Sequence, residues 1–263
     1  KGGTIVMGTL ISQELYKIFK KKSSIIIPII IFILMIAMAV LSNNYEDIFK
    51  PESQFKQGYT GFSWIFFLMI IQAATIITME FHYGTIKNLL YRNYSRMSII
   101  LSKFIALFIY SLALFIATTL ISLGLKLILF SDMDILKQSG DNLSLLQEHL
   151  LTSLASYIGM WLILSLTLLI SCLLKSPGVS IAIGIVFYFA SSIISGILFA
   201  AIDKWEWLKW NPINMLNLST QVLDNEAFKK MTKLELHELY IGNIVYIVIF
   251  LALVTFAFKK KNV

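Results

Sequence analysis

Residues 23–42 read SSIIIPIIIFILMIAMAVLS, a run without a single charged side chain. Its apolar residues follow one another continuously. They do not alternate with polar ones, as the strands of a membrane barrel do, and they do not keep to one helical stripe. About 20 mostly apolar residues in helical form cross the hydrocarbon core of a bilayer. The run therefore predicts a membrane-spanning helix. Five further runs carry the same signature, at 61–79, 105–125, 154–174, 178–202 and 241–258, and none of the six contains Asp, Glu, Lys, Arg or His. The expected fold class is an all-α polytopic membrane protein with six transmembrane helices.

The composition agrees. Of 263 residues, 57% are hydrophobic and 14% charged, where a soluble domain is about 25% charged. Cys172 is the single cysteine and lies inside an apolar run, which excludes an intramolecular disulfide. Residues 1–6, KGGTIV, precede Met7 and read as an expression remnant, leaving 7–263 as one membrane domain. Lys17 to Lys22 and Ala37-Met38-Ala39 imitate a cleavable leader. An amphipathic segment precedes the run, however, and five more spans follow, so 23–42 is expected to remain as a span.

The net charge of +7 has a topological reading. If the N-terminus is cytoplasmic, the cytoplasmic segments are 1–22, 80–104, 175–177 and 259–263. They gather Lys17, Lys20, Lys21, Lys22, Lys87, Arg92, Arg96, Lys103, Lys175 and Lys259 to Lys261, against only Glu14 and Glu80 among the acids. Lys and Arg concentrated in short loops mark the cytoplasmic side. An even number of spans returns both termini to that side. The basic balance thus calls for a bilayer and not for nucleic acid.

The connecting segments carry the remaining information. In 9–22, TLISQELYKIFKKK, Ile11, Leu15, Ile18 and Phe19 fall on one helical stripe, with Gln13, Lys17, Lys20 and Lys21 elsewhere. This predicts a basic amphipathic elbow helix at the interface. After span 2 comes Glu80 to Arg96, EFHYGTIKNLLYRNYSR. Gly84 permits a sharp turn, Thr85 can cap a new helix, and Ile86, Leu89 and Leu90 form an apolar face. Lys87, Asn88 and Tyr91 point elsewhere, and Arg92 and Arg96 can pair with Glu80 or with lipid phosphates. The segment reads either as a short surface helix or as a plain basic loop. On the outer side, 126–153 and 203–240 are long. The latter opens on WEWLKW at 205–210, an aromatic anchor of the kind found at headgroup level. Asn211-Pro212 then fits the start of a short outer helix.

The inventory of chemistry is nearly empty. No G-x-x-x-x-G-K-[ST] phosphate loop occurs, and no H-E-x-x-H. His82, His149 and His237 lie outside the expected spans and far apart, so neither a metal site nor a catalytic set is expected. Charge-free spans also exclude the usual proton relays of pumps and carriers. Polar, uncharged residues remain: Gln72 and Thr75 in span 2, and Ser191, Ser192, Ser195 and Gly196 in span 5. These support helix packing or line a substrate path or subunit seam. The driving force for any transport must come from another polypeptide.

With those residues in view, the chain resembles the permease subunits of ABC-2 type exporters of Gram-positive bacteria. The carrying motif is E-F-x-x-G-T-I-K-N-L-L at 80–90, followed by RNYSRMSIILSK at 92–103. The elbow, the six spans and the outer NP before span 6 add a shared architecture. The resemblance implies that Glu80, Gly84, Thr85, Ile86, Lys87, Asn88, Leu89, Tyr91, Arg92 and Arg96 belong to a coupling helix that docks on a separate ATPase. That ATPase binds ATP and Mg; this chain needs no cofactor. It also implies a second permease subunit, identical or different, in the cell membrane. Within the family the chain is similar to exporters of small amphipathic peptides such as phenol-soluble modulins. Exporters of drugs or glycolipids share the fold, and a peptide-immunity or sensing module that binds without transporting is the alternative from a different class. An adjacent ATPase gene, or transport into inverted vesicles, separates these readings.

Overall fold

The computed structural model describes residues 2–85, 91, 94–136, 138–139, 143–174 and 176–260. Among them the order is α1 (Gly2–Lys20), α2 (Ser23–Asn44), α3 (Pro51–Lys56), α4 (Gly61–His82), α5 (Arg96–Leu129), a two-residue antiparallel ladder of β1 (Gln138–Ser139) and β2 (Leu143–Ser144), α6 (Leu145–Leu173) and α7 (Pro177–Lys204). A 3₁₀ turn (Glu206–Trp210) and the short α8 (Pro212–Met215), α9 (Leu218–Leu223) and α10 (Asn225–Thr232) lead into α11 (Leu236–Lys260). Six helices, α2, α4, α5, α6, α7 and α11, are long and apolar enough to cross a membrane. The protein is a multi-pass, all-α membrane protein.

Each span extends beyond its charge-free core, because a helix keeps satisfying its backbone bonds into the interface. The extension matters most in α5. Its expected span was 105–125; the helix runs from Arg96 to Leu129 and takes in Lys103 and Lys126, both buried. Ser95 caps its start by accepting a bond from the Ser98 amide at 3.0 Å. Ser144 and Gln147 close a reciprocal capping box at the start of α6. His149, expected outside the spans, lies in the first turns of α6, fully buried and stacked on Phe55 of α3 at 4.5 Å. The first helix starts at Gly2, so residues 2–6 share it with the elbow sequence.

The centre of the bundle is α4 and α6, the most buried of the six. Around them α2, α7 and α11 turn rows of large apolar side chains outward, such as Ile29, Ile33 and Ile36, or Val186, Ile193 and Ile197. In a bilayer those rows face lipid, which is as apolar as they are. Close approach is possible where a side chain is missing: a Cβ at Gly184 of α7 would come within 2.7 Å of Ile70 on α4.

A three-way knot ties α2 to this centre. Pro28 lies inside α2 and has no N–H, so the Ser24 carbonyl loses its donor four residues on. Tyr110 of α5 supplies one, its hydroxyl donating to that carbonyl at 2.7 Å. Gln72 of α4 donates to the Ser24 hydroxyl at 2.8 Å.

The helix ends sort into two layers. α1, the end of α4, the start of α5 and the end of α11 meet at one end, where Phe81 packs on Phe258 and α1 lies along α5. At the other end, Gly58, Tyr59 and Thr60 take consecutive left-handed backbone angles and turn α3 into α4. The expected outer helices sit there as well. Asn211 caps α8 by accepting from the Asn214 amide at 2.9 Å, with Pro212 in the first turn. Trp205, Trp207 and Trp210 remain exposed, as an interfacial anchor requires. Buried amides hold this cap down: Asn243 of α11 donates to the Met215 carbonyl at 2.8 Å, and Thr232 donates to Gln221 at 2.7 Å.

Candidate functional site

The elbow helix buries a different stripe from the expected one. Leu10, Glu14 and Ile18, four residues apart, face inward; Ile11 and Leu15 are half-buried and Phe19 is exposed. Glu14 is therefore carried into the interior on the apolar face of α1. It meets partners there. Lys103 of α5, with no exposed surface, bonds Glu14 Oε2 at 3.0 Å and Glu80 Oε1 at 2.7 Å. Lys17 bonds Glu14 Oε1 at 2.6 Å and the same Glu80 oxygen at 2.7 Å. Two carboxylates and two ammonium groups from α1, α4 and α5 thus form one balanced cluster at the end of the bundle.

A buried ion cluster is a weak source of net stability, because desolvation offsets most of the attraction. Its effect is geometric: each charge is tolerable only where its partners are, so the three helices share one register. The titration of Lys17 reflects this. Burial pulls its pKa down most strongly, yet Glu14 and Glu80 together hold it above the ordinary lysine value. Lys21, one residue past α1, has no such compensation, and burial pulls it below that value. Its Nζ donates to Thr75 on α4 at 3.2 Å.

The segment between α4 and α5 leaves and returns through fastened ends. Glu80 anchors its departure. Arg96 anchors its return, donating to the Phe258 and Lys259 carbonyls at 3.4 and 3.2 Å. Those carbonyls belong to the last turn of α11, which lacks intrahelical donors. Of the expected partners, Glu80 or lipid phosphates for Arg92 and Arg96, the described contacts give Lys17 and Lys103 to Glu80 and the α11 carbonyls to Arg96, and Arg92 lies outside the described residues.

Of the other expected docking residues, Gly84 has φ of +67° with open space around it, a conformation L side chains rarely adopt. Thr85 follows in the turn, and both are exposed. Tyr91 is 83% exposed. Ile86, Lys87, Asn88, Leu89 and Arg92 lie outside the described residues, and so does the helix expected there.

The expected path residues divide. Gln72 and Thr75 line a cleft of about 630 Å³ beside the charge cluster. Ser191 and Ser195 turn inward, and Ser195 exchanges hydrogen bonds with Asn217 of the outer cap at 2.8 and 3.1 Å. Ser192 and Gly196 are exposed on α7, and a Cβ at Gly196 would meet open space among the described residues. The two sets are therefore not brought together: one is near the charged end, the other reaches the opposite cap. Among the described residues no three His, Cys, Asp or Glu side chains are placed to hold a metal.

Sequence reasoning missed Lys103 and Glu14 as partners. The available signal was the four-residue spacing of Leu10, Glu14 and Ile18, in which an acid occupies an apolar stripe.

The family described as "Protein of unknown function (DUF2705)" matches residues 5–263. The "Uncharacterized protein YhcI" of Bacillus subtilis strain 168 is 25% identical over 210 residues, covering 74% of this chain. The chain spans 63% of that relative's length.

Proposed function

Taking as premise that the chain belongs to the DUF2705 family, we propose that it is the membrane-spanning permease subunit of an ATP-driven exporter. It moves amphipathic peptides or other membrane-partitioning compounds outward. The work is done by a separate ATPase docked on the segment between Glu80 and Arg96, and a second permease subunit completes the path. The charged end faces the cytoplasm of a bacterial cell, with both termini there, and the tryptophan-rich cap faces outward.

The observation that carries this reading is the way the 80–96 segment is fastened. Glu80 is locked to α1 and α5 through Lys17 and Lys103, and Arg96 to the end of α11. A push on the exposed surface between them, which includes Gly84 and Tyr91, is delivered at once to α1, α4, α5 and α11. Small displacements at such a locked junction become rigid-body shifts, because packed interfaces do not deform smoothly. The charge-free middles of the spans fit the same picture, since they offer no relay for protons or ions. The basic residues of this end support the cytoplasmic assignment.

Inverted membrane vesicles containing the chain and its ATPase test the proposal. ATP is expected to drive an amphipathic cationic peptide into the vesicle lumen, and Gly84→Val to abolish the uptake while leaving the protein folded. Peptide that binds the vesicles equally with and without ATP, and never reaches the lumen, overturns export in favour of a binding module.

A further inference from the structure

The cleft beside the charge cluster has a chemistry that the coupling role leaves unused. Its volume is about 630 Å³, within the range of small-molecule pockets. One wall is α1 and the Lys20–Lys21 corner; the other is the last turns of α4. Glu14 and Glu80 are neutralised by Lys17 and Lys103, which leaves Lys20 and Lys21 as surplus cations on the cleft. Among the described residues neither pairs with a carboxylate. Lys21 is half-buried and held over the cleft by Thr75. Ile76 and Met79 of α4 add a partly exposed apolar wall below the cations. Among the described residues Glu80 Oε2 is buried without a hydrogen-bond partner, and the Glu80 side chain lines the same cleft.

Each element asks for a part of one ligand. Two lysines without a carboxylate partner among the described residues, Lys20 over the Tyr16 ring and Lys21 on Thr75, ask for an anion; a carboxylate oxygen without a donor asks for a hydroxyl, since an unpartnered buried acceptor is costly. The apolar wall lies where acyl chains begin, at the end of the spans. We propose that this cleft is a binding site for an anionic phospholipid with a hydroxylated headgroup. The phosphate sits on Lys20 and Lys21, a headgroup hydroxyl donates to Glu80, and the first methylenes of an acyl chain cover Ile76 and Met79. The site stands independently of the exporter reading. Through Glu80 it would tie lipid occupancy to the same cluster that holds α1, α4 and α5 in register. A soluble phosphate ester shares the polar half of this chemistry but lacks the chain.

The test uses the purified full chain in detergent micelles, titrated with dioleoyl-phosphatidylglycerol and read by native mass spectrometry. One tightly held lipid is expected. Lys21→Gln should weaken it about tenfold, the order of a lost hydrogen bond to a charged group. Lys21→Arg should retain it, and Lys22→Gln, an exposed lysine off the cleft, should leave it unchanged. Dioleoyl-phosphatidylmethanol, of equal charge but without headgroup hydroxyls, should bind about tenfold more weakly to the wild type; this arm decides even if Lys21→Gln fails to fold. Glycerol 3-phosphate should not compete. Equal weakening by Lys22→Gln, or equal binding of phosphatidylcholine or phosphatidylmethanol, overturns the site. Competition by glycerol 3-phosphate at lipid-like concentration overturns the lipid in favour of a soluble ester.

Discussion

Replacing Lys103 by Met removes the innermost charge of the cluster and nearly preserves its volume. The ammonium bonds Glu14 at 3.0 Å and Glu80 at 2.7 Å from a fully buried position. Without it, Lys17 alone faces two carboxylates. Lys17 is half in water, its side chain 49% exposed, so it neutralises them incompletely. Removing one partner of a buried ion pair costs about 3–5 kcal/mol, chiefly because a charge is stranded. The remaining Lys17 contacts place Lys103→Met near the lower figure, about 3 kcal/mol. The companion arm is Lys103→Met with Glu80→Gln. That pair of changes leaves Glu14 and Lys17 matched, so the double variant should be no less stable than Lys103→Met alone. A coupling energy of at least about 1.5 kcal/mol is expected, within the range for residues in direct contact. Reversible unfolding of the purified chain in mixed micelles with increasing denaturing detergent, followed by tryptophan fluorescence, measures all four corners of the cycle. A Lys103→Met cost below about 0.5 kcal/mol, or simple addition of the two single effects, refutes the argument that the cluster acts as one charged unit.

Other consequences follow from the same contacts. Tyr110→Phe strips the donor from the Ser24 carbonyl and should cost about 1–2 kcal/mol. In a Pro28→Ala background the helix supplies its own donor, and the cost should largely vanish in the same unfolding assay. Gly184→Ala pushes a methyl into Ile70 Cγ2 and should destabilise by about 1–3 kcal/mol, with partial recovery when Ile70→Leu removes that γ-branch. Lys17 has a folded pKa above its unfolded value. Its stabilising share is therefore full below the unfolded lysine pKa of about 10.4 and is lost as pH rises through the folded value. The stability difference between wild type and Lys17→Gln should be constant from pH 7 to 10 and shrink above that. A difference that grows with alkaline pH contradicts the sign.

The elements most legible in the sequence were those fixed by one-dimensional quantities. A charge-free run of sufficient length can do little but cross a bilayer, so each of the six expected runs lies within a spanning helix or overshoots it by one residue, as Leu174 does past α6. Asn211-Pro212 was equally readable, because a cap and a first-turn proline are local chemistry. What escaped was set by three-dimensional meeting. Lys103 sits two turns inside α5, beyond the edge drawn at the last charge, and only the approach of α1 explains why a lysine is tolerable there. Glu14 was hidden by a choice between overlapping stripes: Ile11 and Leu15 are as apolar as Leu10 and Ile18, and only the partners of Glu14 decide between them. Span 5 shows the same limit. Its serines share one periodic pattern, yet Ser195 meets Asn217 while Ser192 faces outward.

The central claim is that the segment between Glu80 and Arg96 is gripped by an ATPase. A photo-crosslinking residue placed at Tyr91, 83% exposed on that segment, tests it directly in native membranes. Tyr45, 56% exposed at the opposite end of the bundle, is the control. The account predicts a covalent adduct with an ATP-hydrolysing protein from Tyr91 and none from Tyr45. No such adduct from Tyr91, or the same adduct from both positions, contradicts it.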